Sequence, residues 1–103
     1  MLPVNRTEQA ETDLAEILDY LDERSPAAAE RLATAVDERC ELLGQFPDMG
    51  RAREELAPGL RSIAVERYAV FYRVTATAVE VLRILHGSRD IEGIMKADAP
   101  HPE

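Results

Sequence analysis

Tryptophan is missing from this chain, cysteine and lysine occur once each, and the aromatic residues are three tyrosines and two phenylalanines. Each shortage excludes something. The lone Cys40 rules out an intrachain disulfide and points to a reducing compartment, with the cytoplasm as the default. Apolar runs such as Ala27-Ala28-Ala29 fall far short of the roughly 20 residues that cross a bilayer, so no membrane contact is expected. No basic leader followed by an apolar stretch opens the sequence, and no secretory signal is expected. The glycines, at 44, 50, 59, 87 and 93, are scattered, which removes a glycine-rich phosphate loop, and there is no Gly-x-Ser-x-Gly nucleophile elbow. His86 and His101 are far apart and Cys40 has no neighbouring ligand, so neither a metal site nor a cofactor is expected.

Positive charge is also short. The formal net charge is -8, and residues 1–50 hold 12 acidic and 4 basic side chains while residues 51–103 hold eight of each. The basic residues of the second half are Arg51, Arg53, Arg61, Arg67, Arg73, Arg83, Arg89 and Lys96. A protein that grips RNA or DNA by its phosphates needs a concentrated positive field, so no direct nucleic-acid binding is expected. With 46% hydrophobic and 31% charged residues, the chain reads as one globular domain over residues 1–96. Residues 97–103 lack periodicity, carry two prolines and read as a disordered tail.

Periodicity organises what is present. Leu2 and Val4 alternate around Pro3 as in a short edge strand, where proline costs least. Thr7 is an N-cap ahead of Glu8 and Glu11, and Leu14, Ile17, Leu18 and Leu21 follow at helical spacing, which predicts a helix over Glu8–Arg24. Ser25-Pro26 is a second N-cap with proline at the first helical position. Ala29, Leu32, Ala33, Val36, Cys40 and Leu43 then mark one face of a helix that ends near Gly44. So short a connection predicts an antiparallel helical hairpin. After a loop over 51–59, the runs Leu60–Val65, Tyr68–Val74 and Val79–His86 predict an antiparallel β-meander split by Glu66-Arg67 and by Thr75 to Ala78. Both faces of the meander are apolar, so it needs two covers: the helical hairpin, and either the segment 90–95 or a partner. The resulting class is α+β.

The stretch RILHGSRDIEGIM, residues 83–95, gathers a histidine, two arginines and an aspartate at a strand-to-helix break. Metal-independent RNA cleavage needs a base, an acid and cations for the phosphorane, and His86, Arg61, Arg83, Tyr72 and Glu66 supply those types. Parity opposes a cluster, because Arg83 and His86 lie three apart on one strand and leave opposite faces unless a bulge intervenes. The alternative is that these are sheet-edge residues paired with Glu80, Glu54 or Glu55. Ser88 reads as a turn residue and Asp90 as the N-cap of a short helix carrying Ile91, Ile94 and Met95. Arg89 either folds onto the acidic hairpin or stays available to a partner.

In this order, AETDLAEILDYL (10–21), the Ser25-Pro26 start with AAAERLATAV, FPDMGRAREEL (46–56), GLRSIAVERYAVFYRV (59–74) and VEVLRILHGSRDI (79–91) make the chain resemble the RelE/ParE superfamily of type II toxin–antitoxin toxins. The ParE branch is the nearer match. The resemblance implies a RelE/ParE-like fold and a growth-inhibiting toxin held in a hetero-oligomer by a ParD-like antitoxin, whose helical C-terminal segment wraps the toxin. It implies inhibition of DNA gyrase by binding, without catalytic residues. RelE-like members instead cleave ribosome-bound mRNA, and a non-toxic partner of a DNA-binding antitoxin is a third possibility. The nuclease branch is typically basic, whereas here Lys96 is the only lysine and the net charge is negative. Candidate contacts for antitoxin or target are Arg61, Tyr72, Arg73, Arg83, His86 and Arg89.

Overall fold

The computed structural model describes residues 1–98 and has the expected α+β arrangement: β1 (Val4–Arg6), α1 (Glu8–Arg24), α2 (Pro26–Gln45), a 3-10 turn (Pro47–Met49), β2 (Arg51–Ala52), β3 (Leu60–Val65), β4 (Tyr68–Val74), β5 (Val79–His86) and α3 (Ile91–Asp98). Both helix starts form by the predicted chemistry. The Thr7 side chain accepts from the Ala10 amide and the Ser25 side chain from the Ala28 amide, each satisfying one of the donors a helix leaves orphaned at its N-terminus. Ser25 also closes α1, donating its own N–H to the Leu21 carbonyl at 2.7 Å. One residue therefore ends one helix and starts the next.

Gly44 does not stop α2, which continues through Gln45 and ends where Phe46 donates to the Leu42 carbonyl ahead of Pro47. Its lack of a side chain serves close packing instead. The Gly44 carbonyl accepts the Leu2 amide at 2.9 Å, and a Cβ at position 44 would lie 2.6 Å from the Leu2 carbonyl oxygen. The N-terminal strand is seated against the helix through that gap.

The strands form one sheet in the order β1-β5-β4-β3-β2. The meander β3-β4-β5 is antiparallel, and β1 is an edge strand as expected, pairing parallel to β5 from Val4↔Val79 to Arg6↔Val81. The segment 51–59 is not wholly loop, since Arg51 and Ala52 pair with Ser62 and Arg61. At the Glu66-Arg67 turn, Glu66 adopts φ 56°, the left-handed region that a two-residue hairpin demands and that glycine would fill without strain.

Each face of the sheet has its own core. Ile63, Val65, Val70, Tyr72, Val79, Val81 and Ile84 pack on Ala10, Leu14, Leu32, Val36 and Leu43 of the helical hairpin. Leu60, Phe71 and Leu85 on the other face are covered by Met95 together with Leu56, Ala57, Ile91 and Ile94. The second cover is thus α3 and the loop before β3. Side chains such as Leu32, Val36 and Leu43, with no exposed surface, each contribute about 1.5–3 kcal/mol by leaving water, which explains why the hairpin stays on the sheet. Asp90 caps α3 as predicted, its Oδ1 accepting the Gly93 amide at 3.1 Å. α3 runs through Asp98, two residues past the expected domain end, and residues 99–103 of the expected tail lie outside the described residues.

Candidate docking cleft

β1 covers only Val79 to Val81 of β5, so the rest of that strand has an open edge facing α1. Two residues, the N-cap Thr7 and Asp13 within α1, close it with three hydrogen bonds. The Thr7 amide and hydroxyl donate to the carbonyls of Val81 (2.9 Å) and Leu82 (3.1 Å), and Asp13 accepts the Ile84 amide at 3.0 Å on Oδ2. Asp13 also receives Arg83 in a two-pronged pair, Nε on Oδ2 at 2.8 Å and Nη2 on Oδ1 at 3.0 Å, and Gln9 Nε2 on Oδ1 at 3.0 Å. Burial is the largest single influence on this carboxyl and pushes its pKa up. The Arg83, Ile84 and Gln9 hydrogen bonds together outweigh it, so the net value lies below the ordinary aspartate range.

The register of β5 carries an irregularity just before Arg83, but Arg83 to His86 pair without a break, so the parity between those two residues holds. Across β4 and β5, Phe71 pairs with Arg83 but Tyr72 pairs with Val81, leaving Leu82 as an extra residue. Arg83 therefore starts on the face of Phe71, its cross-strand partner, and its long side chain reaches the helix side round the strand edge that β1 leaves uncovered. There it meets Asp13. Arg83 and His86 consequently line one cleft of about 680 Å³ between α1 and the end of the sheet, together with Arg89.

The cleft has two unlike walls. From α1 come Ile17, Tyr20 and Leu21 with Glu16, and from the strand side come Arg67, Tyr68, Arg83, His86 and Arg89. The side chains of Arg67 and Arg89 are exposed and make no ion pair or hydrogen bond among the described residues, so Arg89 does not fold onto the acidic hairpin. His86 packs edge-on against Tyr68, its cross-strand partner, with ring centroids 5.2 Å apart. Its Nδ1 accepts the Ser88 amide at 3.0 Å and lies 2.7 Å from the Ser88 hydroxyl. With Nδ1 engaged as an acceptor, the neutral ring carries its proton on Nε2. In that arrangement Nε2, the nitrogen not used within the corner, presents a hydrogen-bond donor.

The other candidates lie elsewhere. Tyr72 is fully buried; its hydroxyl donates to the Pro47 carbonyl at 2.7 Å and accepts the Gly50 amide at 2.9 Å, tying the 3-10 turn to the sheet. Arg61, beside it on β3, donates to the Gly50 carbonyl at 2.7 Å and to the Asp48 carbonyl at 3.3 Å. Arg73 is exposed opposite Leu60, outside the cleft. The ion pairs expected with Glu80 or Glu54 are replaced by Arg83 with Asp13 and Arg61 with Asp48, and Glu55 pairs with Arg53. Arg67, Tyr20 and Asp13 were not foreseen. Only the pairing of Tyr68 with His86 held a clue to Arg67, which immediately precedes Tyr68 in the turn between β3 and β4 and so lies at the same end of the sheet. Cys40 is buried, and burial raises its thiol pKa, so it is a core residue and not a nucleophile. Among the described residues no cluster of three His, Cys, Asp or Glu side chains could hold a metal, and no helix is long and apolar enough to cross a membrane.

Comparison with known proteins places this architecture in a family. Residues 4–91 match the family model for the ParE toxin of the type II toxin–antitoxin system parDE. Toxin ParE1 of Caulobacter vibrioides is 34% identical over 89 residues, spanning 85% of this chain and 92% of that protein. Toxin RelE2 of the same organism is 33% identical over 89 residues, spanning 86% and 99%. Toxin ParE1 of Mycobacterium tuberculosis is 31% identical over 85 residues, spanning 81% and 87%. A chain from the chromosomal ParDE TA system of P. aeruginosa superposes with a TM-score of 0.72 at 26% identity, covering 84% of this chain and 96% of that one. With its edge strand, helical hairpin, meander and terminal helix in the same order, this chain belongs to the ParE toxin family of type II toxin–antitoxin systems.

Proposed function

We propose that this toxin acts by binding, with DNA gyrase as its target, and that a ParD-like antitoxin neutralises it by docking in the cleft between α1 and β5. The observation that carries the antitoxin assignment is the cleft's polarity. Ile17, Tyr20 and Leu21 offer an apolar wall, while Arg67 and Arg89 present guanidinium groups with no partner among the described residues. An amphipathic segment with acidic side chains along one edge satisfies both walls. The gyrase assignment rests on the family and on the negative net charge, which disfavours a toxin that holds RNA by its phosphates. The engaged Nδ1 of His86 supports the same preference, because in that arrangement Nε2 presents a donor.

The test has two parts. Purified protein should abolish ATP-dependent supercoiling by gyrase, and the protein encoded by the neighbouring reading frame should restore it. Arg67→Glu combined with Arg89→Glu should weaken capture by that neighbour and reduce its salt dependence. Unimpaired supercoiling at saturating protein overturns the gyrase assignment. A ribosome-dependent endonuclease is the second reading, favoured by the convergence of Arg83, His86 and Arg89 on one cleft. It requires new mRNA ends within translated codons after induction, lost in His86→Ala.

A further inference from the structure

Among the described residues five large apolar side chains are exposed, and three of them, Leu42 (38%), Phe46 (59%) and Met49 (40%), are neighbours at the C-terminal end of α2. Local geometry brings them together. Leu42 and Phe46 stand one helical turn apart, and the 3-10 turn folds back so that the Met49 amide donates to the Phe46 carbonyl at 3.1 Å. None of the three belongs to either core. Nor does the backbone need them, since a helix C-terminus and the turn after it accept glycine or polar residues. The patch shares no residue with the cleft.

Its border is acidic. Glu38, Glu41 and Asp48 are exposed around it; Glu38 and Glu41 have no ion-pair partner among the described residues, and Asp48 has only Arg61 at 3.9 Å. That border discriminates among occupants. A second copy would set one acidic border against another, and an anionic lipid surface or a nucleic acid would be repelled. A basic partner gains against the three carboxylates, which outnumber the one exposed arginine beside the patch, Arg51. We infer that the Leu42, Phe46 and Met49 patch docks a basic amphipathic helix of a partner protein, its apolar stripe on the three side chains and its flanking cations on Glu38, Glu41 and Asp48. The surface is independent of the cleft and of the target proposed above.

The test uses the full chain, labelled with nitrogen-15 and titrated with a Leu/Lys amphipathic peptide of about five helical turns. A Leu/Glu peptide with the same apolar stripe is the charge control. Amide shifts should centre on residues 38–49 and spare the cleft, and the Leu/Glu peptide should not bind. Phe46→Ser and Leu42→Ser should each weaken binding about tenfold or more, a loss of 1.4 kcal/mol at least. Glu38→Lys with Glu41→Lys should transfer the preference to the Leu/Glu peptide. All four positions are exposed, so the unbound spectra of these variants report directly whether the fold is intact. No binding at millimolar peptide, shifts in the cleft or spread over the surface, equal binding of both peptides, or indifference to Phe46→Ser would each overturn the assignment. A wild-type dimer in size-exclusion chromatography that Phe46→Ser dissolves would overturn it in favour of a second copy.

Discussion

Replacing Asp13 by alanine is the perturbation on which the account of the cleft depends most. The carboxylate, 9% exposed, accepts four hydrogen bonds from three groups: two from Arg83 and one each from Ile84 and Gln9. Removing one member of a buried ion pair costs about 3–5 kcal/mol, because the surviving group loses that partner while it stays largely out of water. Here the Ile84 amide, on a strand edge that β1 does not reach, is orphaned too. Replacing both partners, Asp13→Leu with Arg83→Met, removes the desolvated guanidinium as well as the carboxylate, so its cost should fall to about 1–3 kcal/mol. The double variant should therefore be more stable than Asp13→Ala. Urea denaturation of wild type, Asp13→Leu, Arg83→Met and the double variant measures this coupling, with Asp13→Ala alongside; a single-variant loss near 4 kcal/mol is a large share of the roughly 5–15 kcal/mol that holds a small domain together. The pH dependence has a definite sign. A carboxyl whose folded-state pKa lies below its ordinary 3.8 adds stability at pH values above about 4 and loses it as the pH falls through the lowered value. Asp13→Asn should flatten the acid limb of stability against pH. A loss below about 1 kcal/mol in Asp13→Ala, the range of an exposed ion pair, would refute the claim that this carboxylate seals the sheet edge.

Three further outcomes test other joints of the fold. Tyr72→Phe should cost about 1–3 kcal/mol in the same denaturation assay, since the Gly50 amide loses its buried partner while the apolar packing is kept. Ser25→Ala should cost about 1 kcal/mol and reduce helicity in circular dichroism through the lost cap on α2. Gly44→Ala, although favourable to an isolated helix, should destabilise by about 1–3 kcal/mol and expose the amides of β1 to faster hydrogen exchange, because the new methyl occupies the space of the Leu2 carbonyl.

Much of the architecture was legible because local chemistry decides it. Thr7, Ser25-Pro26 and Asp90 are capping signals within a few residues of the groups they satisfy, and the apolar periods of α1 and α2 need no knowledge of their partners. The apolar character of both meander faces also required two covers before either was seen. The cleft was less legible because it depends on register. Nothing in VEVLRILH announces that β1 stops at Val81, yet that uncovered edge is what lets Arg83 reach round the sheet to Asp13. Tyr72 illustrates the opposite error: its hydroxyl suggested a contact residue, while its position opposite Arg61 and beneath the helical hairpin makes it an internal strut. Arg67 was overlooked because a turn residue has no period to mark it.

The parallel pairing of β1 with β5 also imposes an order on synthesis. Val4 must wait for Val79, some 75 residues later, before its ladder can form, and Asp13 waits about as long for Ile84. The helical hairpin can assemble early from near neighbours, but until the last strand arrives it carries an unmet carboxylate and an uncovered apolar face. A chain interrupted before residue 79 therefore has no cleft and no finished sheet. The cleft proposed as a docking site thus comes into being only after β5 has been made, however early its helical wall is in place.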